Sequence, residues 1–376
     1  MRRALLLAGA IALVVAAVVA PNAARAAASR TWPPFVLVVG LLLIGAVAHE
    51  EGAFDRAAAR ASRLPGGRAG LLVALLALVA VVTAVLNLDT AVAFLTPVLI
   101  LTARRRGMAE ETFVFGSLFM ANAASLLLPG SNLTNLLVLG GQHIAGATFA
   151  QRMFPAWLAA IVVTAAVLLV RSDKAGEAAK AGTKPEEPRP EARGWLGTTA
   201  AAVAAVAVIA LRAAAIPVLA IGAAAVAVRL AKRRLNRARL AATVDLAVLA
   251  GLFGVATALG TLAGSWSGPA HLMARASGWE SAILGALGAV MLNNLPAAAL
   301  LGARGVAHPQ GLLIGLDLGP NLAVTGSLSA LLWFQAARTV GVRPSLATVT
   351  RIGVILVPIS ITASLLALRL FSPGSL

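Results

Sequence analysis

The chain has 376 residues, 60% of them hydrophobic and 12% charged, with a mean hydropathy of +0.90. A soluble domain carries about 25% charged residues, and many apolar runs here reach the ~17–25 residues that cross a bilayer. The composition therefore excludes a soluble enzyme and specifies an all-α polytopic membrane protein. The formal charge of +17 does not imply nucleic acid, because basic residues of membrane proteins collect in cytoplasmic loops. With no cysteine there is no disulfide, thiolate metal site or thiol nucleophile.

In chain order, residues 4–20 read as a retained first helix rather than a cleaved signal peptide. A second helix is predicted over 34–49. The loop 50–68 holds Arg56, Arg60, Arg63 and Arg68 and is expected in the cytoplasm. Glu50 and Glu51 are expected at the interface. The runs 69–86 and 91–102 flank the polar turn Asn87-Leu88-Asp89-Thr90 and lie between basic clusters, ending at Arg104, Arg105 and Arg106. The polar turn and the short second arm predict a re-entrant hairpin, about 69–103, whose tip stops inside the membrane. A broken helix follows, about 110–146, and a helix over 153–171 returns to the cytoplasm. Residues 172–195, rich in Lys, Glu, Pro, Ala and Gly, read as a flexible cytoplasmic linker.

The second half repeats this order. Helices are predicted over 196–212, 214–231 and 242–264, with a basic run from Arg229 to Arg239. A second hairpin covers about 281–303 around Asn293-Asn294-Leu295-Pro296, a second broken helix about 309–338, and a last helix 346–370. The layout predicts two inverted repeats, 1–171 and 196–376, with about nine transmembrane helices, two re-entrant hairpins and two broken helices. Most Lys and Arg then fall on the cytoplasmic side. Arg25, Arg30, Arg152, Arg212, Arg275, Arg304 and Arg369 are left outside, which puts the N-terminus in the cytoplasm and the C-terminus outside a cell inner (plasma) membrane.

The chain is organised around Asn122-Ala-Ala-Ser-Leu-Leu-Leu-Pro129-Gly130-Ser131-Asn132-Leu133-Thr134-Asn135, a polar break inside an apolar region. Unpaired backbone groups cost several kcal/mol in hydrocarbon, so a helix breaks there only where it lines a cavity or is buried in protein. The stretch from Asp317 to Trp333 echoes it, placing Asn122 on Asp317, Ser131 on Gly326, Asn132 on Ser327 and Thr134 on Ser329. Paired breaks in two halves point to a transporter binding site.

Asp89 and Asp317 are the two carboxylates placed at membrane depth. Such groups face a cavity, a partner or a proton path, or else join broken segments by structural hydrogen bonds. Asn87, Asn293 and Asn294 at the hairpin tips offer donors and acceptors to a polyhydroxyl solute or a desolvated ion, or satisfy the turn itself. Ser131, Asn132, Thr134 and Asn135 lie at one break, and Thr325, Gly326, Ser327 and Ser329 at the other. Half-helix N-termini attract oxyanions, and Gly130 and Gly326 let backbone approach a solute. His49, His143, His271 and His308 make no metal-ligand pair, and no nucleotide-binding or zinc-protease motif is present. No cofactor and no metal are expected.

At these residues the chain resembles the arsenite/antimonite efflux permease family, the arsenical pump membrane proteins, within the ion transporter superfamily of citrate, dicarboxylate and sodium/proton carriers. The carrying stretches are Thr96-Pro97, Ala123-Ala124-Ser-Leu, Ser131-Asn132-Leu133 with Asn135, Asn293-Asn294-Leu-Pro, Asp317-Leu-Gly-Pro, Gly326-Ser327-Leu and Leu331-Leu332-Trp333. The resemblance implies an inverted-repeat fold and a secondary transporter exporting arsenite or antimonite against protons. Asn87, Ser131, Asn132, Thr134, Asn135, Asn293, Asn294, Thr325, Gly326 and Ser327 would line the site, and Asp89 and Asp317 would couple protons. Asn87-Leu88-Asp89-Thr90 departs from the family's Asn-Asp-Gly tip, and Asn122 stands where the family often has Asp. Expected partners are a small inorganic solute, protons and the lipid bilayer. A soluble ATPase subunit, with the chain as its channel, and a homodimer stay open, as do another anion or sodium/proton exchange. No nucleic acid is expected.

Overall fold

The computed structural model describes residues 2–61, 63, 67–140, 144–176, 194–211, 213–232, 240 and 244–372. Among them are 17 α-helices and no strand. The first half contains α1 (Arg2–Val19), α2 (Pro21–Glu50), α3 (Ala53–Ala61), α4 (Gly67–Val85), α5 (Leu88–Arg105), α6 (Glu111–Ala124), α7 (Leu133–Leu139) and α8 (Gly146–Gly176). The second contains α9 (Leu196–Ala210), α10 (Ala215–Ala231), α11 (Leu246–Ser265), α12 (Gly268–Arg275), α13 (Gly278–Leu292), α14 (Asn294–Leu301), α15 (Pro309–Leu318), α16 (Leu328–Thr339) and α17 (Leu346–Phe371). Helices α2, α4, α8, α11 and α17 are long and apolar enough to cross a membrane.

Three boundaries differ from the sequence expectation. Helix α2 starts at Pro21, not 34, because Pro21 seeds its first turn and Pro33 and Pro34 lie within it; neighbouring helices tolerate such prolines in membrane bundles. Helix α5 has 18 residues rather than a short arm, since Asn87 starts it at Leu88. At 1.5 Å per residue it is ~27 Å long. The short second arm belongs to the second hairpin, where α14 has 8 residues. In the first broken helix, α7 ends at Leu139 rather than 146. Helices α3 and α12, short segments before each hairpin, were absent from the sequence reading. Helix α8 extends to Gly176, while 177–193, His143, Arg212 and Arg233 to Arg239 lie outside the described residues.

Helix α1 packs on α11, α2 on α10, and α8 on α17. The α1–α11 contact brings backbones together: a Cβ at Gly254 would stand 2.2 Å from the Gly9 carbonyl oxygen, and one at Gly251 2.6 Å from that of Leu5. Small residues permit such approach where no hydrophobic drive separates helix from lipid. Phe35 of α2 meets Phe253 of α11 edge-on at 5.6 Å.

At the arginine-rich end, Glu51 is 2% exposed rather than interfacial. Its carboxylate lies 3.5 Å from Arg229 Nη1 and accepts the Gly197 N–H at 2.8 Å, tying α2 to α9 and α10. Arg56 donates to the Gly194 carbonyl at 2.7 Å and sits over the Trp195 ring at 5.2 Å. Arg104 pairs with Glu110 at 2.5 Å and donates to the Val340 carbonyl at 2.8 Å, joining the end of α5 to the end of α16.

Candidate functional site

Each polar tip is the N-cap of the helix that follows it. The Asn87 side chain accepts the Thr90 N–H at 2.7 Å at the start of α5. Asn132 accepts the Thr134 N–H at 3.3 Å at α7, and Asn293 the Leu295 N–H at 3.3 Å at α14. Ser327 accepts the Ala330 N–H at 3.2 Å at α16. Asn and Ser are favoured there because the first N–H groups of a helix lack intrahelical partners. Capping satisfies part of the broken backbone; a helix N-terminus still presents partial positive charge.

The tips are tied to one another by side-chain bonds. Asp317, at the end of α15, is fully buried. Its Oδ1 accepts from Asn132 Nδ2 at 2.9 Å and Thr134 Oγ1 at 2.7 Å, both from the first break. Ser125 Oγ lies 3.0 Å from Asp317 Oδ2 and 2.8 Å from the Asn122 carbonyl oxygen. Asn122 Nδ2 donates to Asn321 Oδ1 at 2.7 Å, across the two broken helices. Ser329 Oγ donates to Asp89 Oδ1 at 2.5 Å, which brings the N-termini of α5 and α16 together. Asn293 Nδ2 donates to the Thr325 carbonyl at 3.1 Å, adding the tip of the second hairpin. Ser131 Oγ donates to the Ala84 carbonyl at 3.2 Å, linking the first break to the first hairpin. The two hairpins and the two broken helices thus meet in one hydrogen-bonded junction.

Several residues serve the junction rather than face into it. Asn135 Nδ2 donates to the carbonyls of Ser125 and Leu128, at 2.8 and 3.2 Å, closing the unwound turn. A Cβ on Gly326 would fall 2.8 Å from Pro320 Cα, so this glycine lets the second break fold on itself. Thr325 is exposed and contributes its carbonyl; Asn294 is buried in the first turn of α14. Asn293 holds φ at +81°, a left-handed conformation that Asn tolerates better than most residues. Trp333 is fully buried and donates to the Val114 carbonyl at 2.8 Å, fixing α16 on α6. Thr96 and Ser117 share a hydrogen bond of 2.9 Å between α5 and α6.

Four polar groups of the junction have no protein partner among the described residues: Asn87 Nδ2, Thr90 Oγ1, Asn122 Oδ1 and Asn135 Oδ1. Ser125 and Asn321 were not singled out from sequence. Their signal was present, as a hydroxyl and a carboxamide beside Asp317-Leu-Gly-Pro and its counterpart. Among the described residues no group of three His, Cys, Asp or Glu side chains is placed to hold a metal ion.

A broken helix whose buried Asp317 is gripped from the other half of the chain, and a hairpin tip whose Asp89 is held by the other broken helix, within an apolar helical bundle, define a multi-pass membrane transporter and not an enzyme. The chain belongs to the CitMHS citrate transporter family, whose model matches residues 1–341. It is 28% identical over 405 residues to the arsenical pump membrane protein of Escherichia coli K12, covering 96% of this chain and 92% of that protein. The arsenical pump membrane protein of Yersinia enterocolitica is 27% identical over 382 residues, with 90% and 87% covered. The YdaH transporter of Alcanivorax borkumensis, described as having an unusual topology, shares the fold with a TM-score of 0.59 at 14% identity, covering 92% of this chain and 87% of that one.

Proposed function

We propose that the chain exports arsenite or antimonite in exchange for protons by alternating access of two inverted repeats. The carrying observation is the junction itself, where Asp317 accepts from Asn132, Thr134 and Ser125 and Asp89 accepts from Ser329, all hydroxyl or carboxamide donors. An uncharged metalloid trihydroxide needs such donors and acceptors and no thiolate. The arsenical pump relatives, alike over nearly the whole chain, favour that solute.

Ser125 supplies a proton-exchange device. Its single hydroxyl hydrogen serves Asp317 or the Asn122 carbonyl, one at a time. With Asp317 ionised, Ser125 donates to it. With Asp317 protonated on Oδ2, that O–H donates to Ser125 Oγ, which turns its own hydrogen to Asn122. Asp317 Oδ2 keeps Ser125 as its partner in both states, and the Asn122 carbonyl gains the Ser125 hydrogen when Asp317 takes up its proton. Asp89, which accepts from the Ser329 hydroxyl, would be the second carrier.

Two features support the inverted-repeat reading. Both halves run helix pair, short helix, hairpin, broken helix, long helix, with α9 as an additional helix before the pair α10 and α11 of the second half. Their packing is also reciprocal: α1 on α11 matches α10 on α2, and α16 on α5 matches α7 on α14. The N-terminus is assigned to the cytoplasm and the C-terminus to the outside.

A second reading, a carrier of organic anions, is favoured by the family's description and by one cavity. This space of about 370 Å³ lies among α2, α7, α11 and α14, with Arg30 and Arg304 on its wall. Uptake into everted membrane vesicles separates the readings. Arsenite accumulation driven by an acid lumen supports metalloid–proton exchange; citrate accumulation without arsenite uptake replaces it.

A further inference from the structure

A second cavity, of about 340 Å³, runs between α4 and α9 with α3 and the end of α2 beside it. One end is marked by Trp195, which stacks under Arg56, and by Arg60, one turn further along α3. From there α9 passes ten residues to Ala205, ~15 Å of helix. The other end is apolar and reaches Val85 and Leu86, immediately before the hairpin tip Asn87. Val208 of α9 packs near Gly130, whose neighbour Ser131 bonds the Ala84 carbonyl, so the far ends of α9 and α4 meet beside the junction.

The groove is therefore polarised along its length. Its charged end has two guanidinium groups and an indole that is 60% exposed. Its body is aliphatic, and Val81 on its wall is 59% exposed. Among nearby acids, Glu51 is engaged by Arg229, and Asp55 is the single acid of α3. Arg56 is held by backbone carbonyls, whereas the exposed Arg60 extends from the helix toward the rim. Basic pockets between membrane helices recognise lipid phosphates, and Trp prefers the headgroup level.

We propose that this groove binds an anionic phospholipid, with the phosphate at Arg60 and Arg56 and an acyl chain along α4 and α9. The acyl chain would end at the tip of the first hairpin, filling the seam between α9 and α4, which leads into Asn87. This site is separate from the proposed solute junction and holds whichever solute is carried.

Trp195 reports occupancy directly. The chain is reconstituted in phosphatidylcholine vesicles with equal mole fractions of acyl-brominated phosphatidylglycerol or acyl-brominated phosphatidylcholine. The chain has six tryptophans, so the Trp195 signal is the difference between wild type and Trp195→Phe. Half-quenching of this signal is expected at a roughly 30-fold lower fraction of the anionic lipid, the preference contributed by two basic residues. Arg60→Gln, at an exposed position, is expected to cut that preference to roughly fivefold without unfolding the protein. Equal quenching by the two lipids overturns the proposal. An undiminished preference in Arg60→Gln overturns the assignment of the phosphate to this groove.

Discussion

Asp317→Asn separates the structural role of this acid from its proposed coupling role. Asp317 accepts from Asn132 and Thr134 through one oxygen and faces Ser125 through the other. A carboxamide can keep its oxygen toward Asn132 and Thr134 and turn its NH₂ toward Ser125, which then donates to the Asn122 carbonyl. The loss is the charge assistance of two hydrogen bonds, about 1 kcal/mol each, or ~2 kcal/mol in all. Native proteins have a stability of ~5–15 kcal/mol, so the variant should insert and fold. Asp317→Ala instead strands two buried donors at ~1–3 kcal/mol each, a loss of ~2–6 kcal/mol, and should extract poorly from membranes. Because an amide cannot carry the proton, Asp317→Asn should fold yet lose proton-driven arsenite uptake in everted vesicles. Monodispersity in detergent and vesicle flux are measured on the same preparation. Wild-type flux from Asp317→Asn would refute the coupling role, and misfolding as severe as that of Asp317→Ala would refute the geometric reasoning.

Ser125→Ala should leave the fold within about 1–2 kcal/mol of wild type but flatten the pH dependence of uptake, read from vesicle flux across a pH series; an unchanged profile removes Ser125 from the relay. Ser329→Ala should weaken transport without unfolding, because Asp89 loses a charge-assisted hydrogen bond worth ~1.5–3 kcal/mol; initial rates beside expression level check this. Asn293→Ala combines loss of an N-cap with an Ala at φ +81°, about 2–3 kcal/mol together, whereas Asn293→Gly should cost under ~1 kcal/mol; thermal unfolding in detergent should rank the two in that order. Glu51→Ala removes a buried carboxylate from beside Arg229 and from the Gly197 N–H, for ~3–5 kcal/mol, and should be the least stable of these variants in the same measurement.

The class, the helix order and the polar tips were legible because bilayer thickness fixes helix length and because Asn, Ser, Gly and Pro inside apolar runs have few uses. Asn87, Asn132, Asn293 and Ser327 stand out by their positions at polar interruptions of apolar runs, yet all four are helix caps, and sequence could not separate capping from solute contact. Partners across the junction were not legible. Setting Asn122 opposite Asp317 carries no information on contact: the fold pairs Asn122 with Asn321 and Asp317 with Ser125, Asn132 and Thr134. Those bonds join residues nearly 200 positions apart, and no local spacing encodes them. The predicted second helix, 34–49, covers only the later part of α2, which starts at Pro21 and keeps Pro33 and Pro34 inside it, where neighbouring helices support the bend. Glu51 looked interfacial because its partners, Gly197 and Arg229, arrive from the other half.

Solute and proton flux measured together, on the purified chain in liposomes with no ATPase present, test metalloid–proton exchange most directly. An acid lumen should drive arsenite inward, arsenite entry should alkalinise the lumen, and a protonophore should abolish both. Arsenite movement that leaves luminal pH unchanged, or luminal pH changes that follow citrate and not arsenite, would contradict it.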